Sequence, residues 1–162
     1  MGLSDVITKD GSIKSTEDLP IRYTIYEPGK SDHDHLPVVL FIHGFKGFKD
    51  WGPFPEACKK IASKGYAVVA CNLSRNGVGE SLTEFDRLDL FEDQTLNQDL
   101  SDVGAIIKAV QNDTLKFQSK TVDKKRIGII GHSRGGHTAA AATAEYDALK
   151  CLITWSAVAN YN

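Results

Sequence analysis

The sequence predicts an α/β fold, an N-terminal antiparallel hairpin leading into a mainly parallel sheet flanked by helices. Three observations carry this reading. Short apolar runs recur within Val38–Ile42, Tyr66–Cys71, Arg126–Ile130 and Cys151–Val158, the mark of strands covered on both faces. Segments of helical spacing lie between them, and strands that alternate with helices build a parallel sheet with right-handed crossovers. Ahead of them, Ile21–Tyr26 alternates apolar and polar residues, as a strand solvated on one face does.

In chain order, Asp5–Thr8 reads as a strand, Asp10 and Gly11 as a turn, and Ile21–Tyr26 as the returning strand of the hairpin. Glu27–Pro37 is a polar loop. It holds His33 and His35 among two aspartates, a set that a metal could use, but an exposed loop is the reading adopted. After the strand Val38–Ile42 and the turn His43–Gly47, residues 53–64 predict a helix. Pro53 and Pro55 stand near its first turn, Phe54, Ala57, Cys58 and Ile61 share a face, and Gly65 stops it.

The strand Tyr66–Cys71 leads into Asn72–Ser81, rich in glycine. A phosphate cradle would need a following Lys-Ser or Lys-Thr at a helix start, and neither is present, so the segment is read as turn-forming. A nucleotide site is set aside for the same reason, there being no G-x-G-x-x-G after the first parallel strand. The stretch to Glu92 reads as irregular. Thr95–Gln111 is the clearest helix: Leu96, Leu100, Val103, Ile106, Ile107 and Val110 form one apolar stripe. A third strand, Arg126–Ile130, a helix, Arg134–Tyr146, and a fourth strand, Cys151–Val158, complete the pattern.

The totals narrow the function. A chain of 162 residues with 41% hydrophobic and 25% charged content is read as a single globular domain spanning 1–162. A formal net charge of -2 gives no case for nucleic acid or an anionic membrane as partner. No apolar run reaches the roughly eighteen residues of a membrane span. The N-terminus lacks the basic and apolar regions of a secretory signal, and Val6 departs from the myristoylation pattern. The three cysteines, Cys58, Cys71 and Cys151, have no C-x-x-C spacing and read as buried reduced thiols, which points to the cytoplasm.

The chemistry is concentrated in Gly131-His132-Ser133-Arg134-Gly135, a G-x-S-x-G set between a predicted strand and a predicted helix. So tight a turn holds its serine in a strained conformation with the hydroxyl lifted above the sheet, which makes Ser133 the candidate nucleophile. A serine needs a base to take its proton and donors for the developing oxyanion. The backbone N–H of Arg134, just after the serine, is one candidate donor. The backbone N–H of Phe45, in the loop after a neighbouring strand, is the other. His43 reads as a brace for that loop rather than as the base.

Together the His43-Gly44 turn, the Gly77–Ser81 loop and the Gly131–Gly135 turn resemble the α/β-hydrolase family in order and spacing, from about Ile21 onward. The nearest relatives in character are the dienelactone-hydrolase and serine-aminopeptidase-like esterases and peptidases. Asn72 departs from the Asp that many members carry near that position. The resemblance implies hydrolysis of carboxylic esters or related acyl compounds through an acyl-serine, with a small-molecule acyl substrate and without metal or organic cofactor.

The family order is Ser, then Asp or Glu, then His. After Ser133 the only acids are Glu145 and Asp147 and the only histidine is His137, all on or just past the following helix. The expectation is therefore an N-terminal half of the fold, cut after about six strands, whose histidine and acid come from outside these residues. A second polypeptide segment or self-association would complete the sheet. The competing reading is a non-catalytic truncated hydrolase or a binding module.

Overall fold

The computed structural model describes residues 5–30, 35–118 and 121–159. Strands β1 (Val6–Lys14) and β2 (Pro20–Pro28) form the expected antiparallel hairpin. Its turn lies elsewhere than expected. Asp10 and Gly11 sit inside β1, opposite Thr24 and Tyr23. A Cβ on Gly11 would fall 2.4 Å from the Tyr23 hydroxyl, so the glycine makes room for a ring rather than for a turn. The chain reverses at residues 15–19, where the Ser15 N–H donates to the Leu19 carbonyl at 2.8 Å and Asp18 takes φ 62.

Next come β3 (His35–Ile42), α1 (Phe54–Ala62), β4 (Ala67–Cys71), α2 (Leu88–Glu92), α3 (Leu96–Gln111), β5 (Thr121–His132), α4 (Arg134–Glu145) and β6 (Leu149–Trp155). The short α2 interrupts a stretch that reads as irregular, because its five residues carry too little periodicity to show. Helix α3 begins at a capping box: the Gln98 N–H donates to the Thr95 hydroxyl, and the Thr95 N–H donates to the Gln98 side chain. His35 opens β3, with Nδ1 3.0 Å from the Thr121 hydroxyl, whereas His33 lies outside the described residues.

The sheet order is β1-β2-β4-β3-β5-β6. β2 runs antiparallel to β4, while β3 is parallel to both β4 and β5, and β5 to β6. Because β2 packs both faces into the core, Tyr23 and Ile25 in one cluster and Tyr26 in the other, Tyr23 through Glu27 are all buried. The alternation in Ile21–Tyr26 therefore does not mark a solvated face. Helix α1 covers one side of the sheet through Phe54, Cys58 and Ala62, packed on Phe41, Val68 and Ile130. Helices α3 and α4 cover the other through Val103, Ile106, Val110, Ala139 and Ala142. Burying a side chain such as Phe54 contributes roughly 2–3 kcal/mol.

β6 ends the sheet order. Of its residues only Leu149 is buried, and Leu152, Ile153 and Trp155 are 37%, 51% and 37% exposed. Between β6 and α1 an apolar groove of about 440 Å³ is lined by Val39, Ile61, Tyr66, Ile130, Cys151 and Ile153. The expectation of three buried thiols is corrected here: Cys58 and Cys71 are buried, but Cys151 is exposed because it faces this open groove. Among the described residues no helix is long and apolar enough to cross a membrane.

Candidate active site

Ser133 occupies the single residue between β5 and α4, with φ 54 and ψ −120. This is a region that residues with a Cβ rarely enter, at a cost on the order of 1–3 kcal/mol. The surroundings hold it there. The Ser133 N–H donates to the Trp155 carbonyl at 2.9 Å, and the Ser133 carbonyl accepts from the Gly136 N–H at 2.9 Å. The turn also needs backbone in contact with backbone. A Cβ on Gly131 would lie 2.0 Å from the Gly135 carbonyl oxygen, and one on Gly135 would lie 2.2 Å from that of His43. The G-x-S-x-G spacing is thus a packing requirement between the β5–α4 turn and the end of β3.

The end of β3 reaches the serine directly. A Cβ on Gly44 would sit 2.9 Å from Ser133 Cβ and 3.0 Å from the His132 carbonyl oxygen. Phe45 follows in a turn closed by the Gly47 N–H donating to the Gly44 carbonyl at 3.1 Å. The Phe45 ring is 59% exposed and lies 5.4 Å from the Phe91 ring. The two amides named from sequence therefore stand on segments that meet at Ser133. The Arg134 N–H is in the first turn of α4, where no intrahelical acceptor is within reach.

His43 is buried, and both ring nitrogens are engaged. The Leu73 N–H can only donate, so Nε2 accepts from it at 3.2 Å, which leaves the proton on Nδ1 to donate to the Gly44 carbonyl at 2.8 Å. Burial pushes the imidazole down to about 4. The side chain is a neutral brace that ties the Gly44 loop to the loop after β4. The His132 ring lies among Trp51, Phe54 and Trp155, with ring centroids at 6.5, 5.1 and 5.3 Å. His137 is half-buried one turn into α4, and Glu145 ends that helix about 18 Å from its start.

Sequence reasoning missed two carboxylates on α3. Asp99 and Asp102 are 2% and 3% exposed. Asp99 pairs with Arg134 (Oδ2 to Nη2, 2.8 Å), and Gln94 closes the ring by donating to Asp99 Oδ1 at 2.9 Å and accepting from Arg134 Nη1. Asp102 accepts from the Ser74 N–H at 2.6 Å. Burial pushes both carboxyls up to about 6, and the arginine and glutamine only partly offset this at Asp99. The signal was present: Asp99 stands three residues after Leu96 and four before Val103, on the apolar stripe itself. Among the described residues no group of three or more His, Cys, Asp and Glu side chains is arranged to hold a metal ion.

The fold is shared with known proteins. The model of the dienelactone hydrolase family matches residues 21–159. A Bacillus subtilis (strain 168) protein named "Putative esterase YitV" is 27% identical over 144 residues, covering 88% of this chain and 52% of its own length. A hypothetical protein, PA2218, from Pseudomonas aeruginosa superposes with a TM-score of 0.74 at 19% identity, covering 98% of this chain and 45% of its own. A structure titled "Putative Dienelactone Hydrolase" from Klebsiella pneumoniae gives 0.72 at 21% identity, covering 97% of this chain and 63% of its own. The chain thus spans about half the length of the curated relative it matches.

Proposed function

Taking as premise that the chain belongs to the dienelactone hydrolase family, we propose that it carries the nucleophile of a serine hydrolase acting on carboxylic esters or related acyl compounds. The observation that carries this reading is Ser133 held at φ 54 between β5 and α4, with the Gly44 backbone against its Cβ. In this reading the Ser133 hydroxyl gives its proton to a histidine supplied by a further polypeptide segment and attacks the acyl carbon. The Arg134 and Phe45 amides receive the oxyanion, and the leaving alcohol departs with a proton from that histidine. Water then cleaves the acyl-serine by the same route in reverse. An outside Asp or Glu orients the histidine. The reaction draws on no metal or organic cofactor.

The exposed apolar edge of β6 and the groove beside it favour a further polypeptide segment, or a second copy, completing the sheet. We take residues 1–162 as one folding unit, and the two buried thiols as suited to a reducing cytoplasm.

One observation favours the second reading, a non-catalytic hydrolase fragment or binding module. His43, beside the Gly44 turn, and His132, next to Ser133 in the chain, are committed to a brace and to an aromatic cluster. The experiment is labelling with a serine-reactive fluorophosphonate in the polypeptide completed by its remaining segments. Labelling that disappears in Ser133→Ala supports the hydrolase reading. Labelling that persists in Ser133→Ala overturns it, and a completed protein that neither labels nor turns over esters supports the module.

A further inference from the structure

We infer that Asp99 is a positioning residue for the oxyanion donor: through the Arg134 side chain it fixes where α4 begins, and so where the amide after Ser133 points. The inference rests on the Ser133 reading above. Arg134 is the first residue of α4, and its backbone N–H is the donor in question. Its guanidinium is not free to follow solvent. It is held by Asp99 Oδ2 at 2.8 Å and by the Gln94 side-chain oxygen Oε1, and the Gln94 side-chain amide in turn donates to the other oxygen of Asp99.

The location of this ring distinguishes it from an ordinary surface ion pair. The Asp99 side chain is 3% exposed and that of Arg134 is 17% exposed. Burying a carboxylate on an apolar helix face costs desolvation energy that a well-placed, hydrogen-bonded partner offsets. The partner here sits one residue from the strained serine, and α3 is anchored by its capping box just before Asp99. The tether thus runs from a capped helix start, through two side chains, to the first residue of α4. An oxyanion donor works only if it is placed before reaction, and misplacement by about 1 Å can cost on the order of a hundredfold.

Asp102 is the internal control. It lies one turn further along the same helix and is equally buried, but it accepts from the Ser74 N–H and is not bonded to Arg134. The test uses the complete polypeptide and four variants: Asp99→Asn, Arg134→Gln, the double variant, and Asp102→Asn. Asp99→Asn and Arg134→Gln should each lower kcat for a simple ester by about ten- to a hundredfold with KM changed less than about twofold. The double variant should be no slower than the slower single, because both break one tether. Asp102→Asn should stay within about twofold of wild-type kcat. Arg134→Gln leaves the backbone amide in place, so its effect reports position and not loss of a donor.

An independent readout is amide hydrogen exchange at Gly135 and Gly136, expected at least about tenfold faster in Asp99→Asn than in wild type. Wild-type kcat in Asp99→Asn, with Ser133→Ala inactive, overturns the tether and leaves the nucleophile reading standing. Turnover retained in Ser133→Ala overturns both. Equal losses in Asp99→Asn and Asp102→Asn, or equal exchange rates, also overturn it. Should Asp99→Asn fail to fold, Arg134→Gln carries the same comparison.

Discussion

Gly44 lies against Ser133 so closely that a single added methyl group would sit 2.9 Å from the serine Cβ, below any ordinary carbon–carbon contact. The ends of β3 and β5 therefore form one site, in which neither segment can shift without the other. Gly44→Ala should displace either the serine or the Phe45 loop. We expect a loss of about 1–3 kcal/mol in stability and at least about a tenfold drop in fluorophosphonate labelling of the completed protein. Labelling at the wild-type rate would show that the two segments do not act together.

The backbone of Ser133 gives a second test. At φ 54 and ψ −120 a glycine is unstrained, whereas alanine carries the same Cβ penalty as serine. Ser133→Gly should melt higher than Ser133→Ala, by the equivalent of about 1 kcal/mol, although both lack the hydroxyl. Thermal unfolding of the two variants side by side decides this, and a Ser133→Gly melting temperature no higher than that of Ser133→Ala would contradict the prediction.

His43 makes the stability of the fold depend on pH. Its folded value is pushed down to about 4, against about 6.5 when unfolded, so between these values the unfolded chain binds a proton that the folded chain does not. Its stabilising contribution is present above pH 6.5 and is lost as pH falls toward 4. Asp99 and Asp102 act in the opposite sense. Their carboxyls are raised to about 6, so their contribution is present below about pH 3.9 and is lost as pH rises through 6. The trends overlap, and a variant separates them. The wild-type minus His43→Gln difference in unfolding free energy should rise with pH from 4.5 to 6.5, by up to about 1.4 kcal/mol per unit. A flat difference in urea titrations would contradict the buried neutral brace.

The open edge predicts association. Ile153 on β6 is 51% exposed and lines the groove shared with Ile61 and Tyr66. The chain of residues 1–162 should self-associate at micromolar concentration, and Ile153→Lys should shift it toward monomer, because a charge discourages pairing along an edge. Sedimentation velocity measures both. A sharp monomeric boundary with a cooperative melt in the unsubstituted chain would contradict the prediction.

Thiol reactivity should divide the cysteines unevenly. Cys151 is exposed, while burial pushes the Cys58 thiol up to about 12 and the Cys71 thiol higher still. One equivalent of an aromatic disulfide reagent should react within minutes in folded residues 1–162 diluted until monomeric, where the β6 edge is uncovered, and Cys151→Ser should abolish that phase. Three equal rates would mean that the sheet opens easily.

Much of the site was legible before the fold was known, and for a local reason. A G-x-S-x-G between a strand and a helix specifies much of its own geometry, because Gly131 is required by backbone contact with Gly135 inside the turn, whereas Gly135 is required by the distant end of β3 at Ile42 and His43. The Thr95–Gln111 stripe is likewise local, and α3 follows it to within one residue. Asp10 and Gly11 misled because the same pair serves a turn or a crowded strand, and only the Tyr23 ring across the hairpin distinguishes the two.

By itself, then, the sequence determined the principal strands and helices apart from α2, the strained serine and the segments that lie beside it, since periodicity and turn chemistry are set by neighbours along the chain. The tertiary structure decided what depends on neighbours across it. These are the placing of β4 between β2 and β3, the exposure of Cys151 on the outermost strand, and the pairing of Asp99 with Arg134. The physical reason is that burial and ion pairing belong to contacts between distant segments. An aspartate on an apolar stripe reveals that it must have a partner, but only the packing of α3 against the start of α4 identifies it.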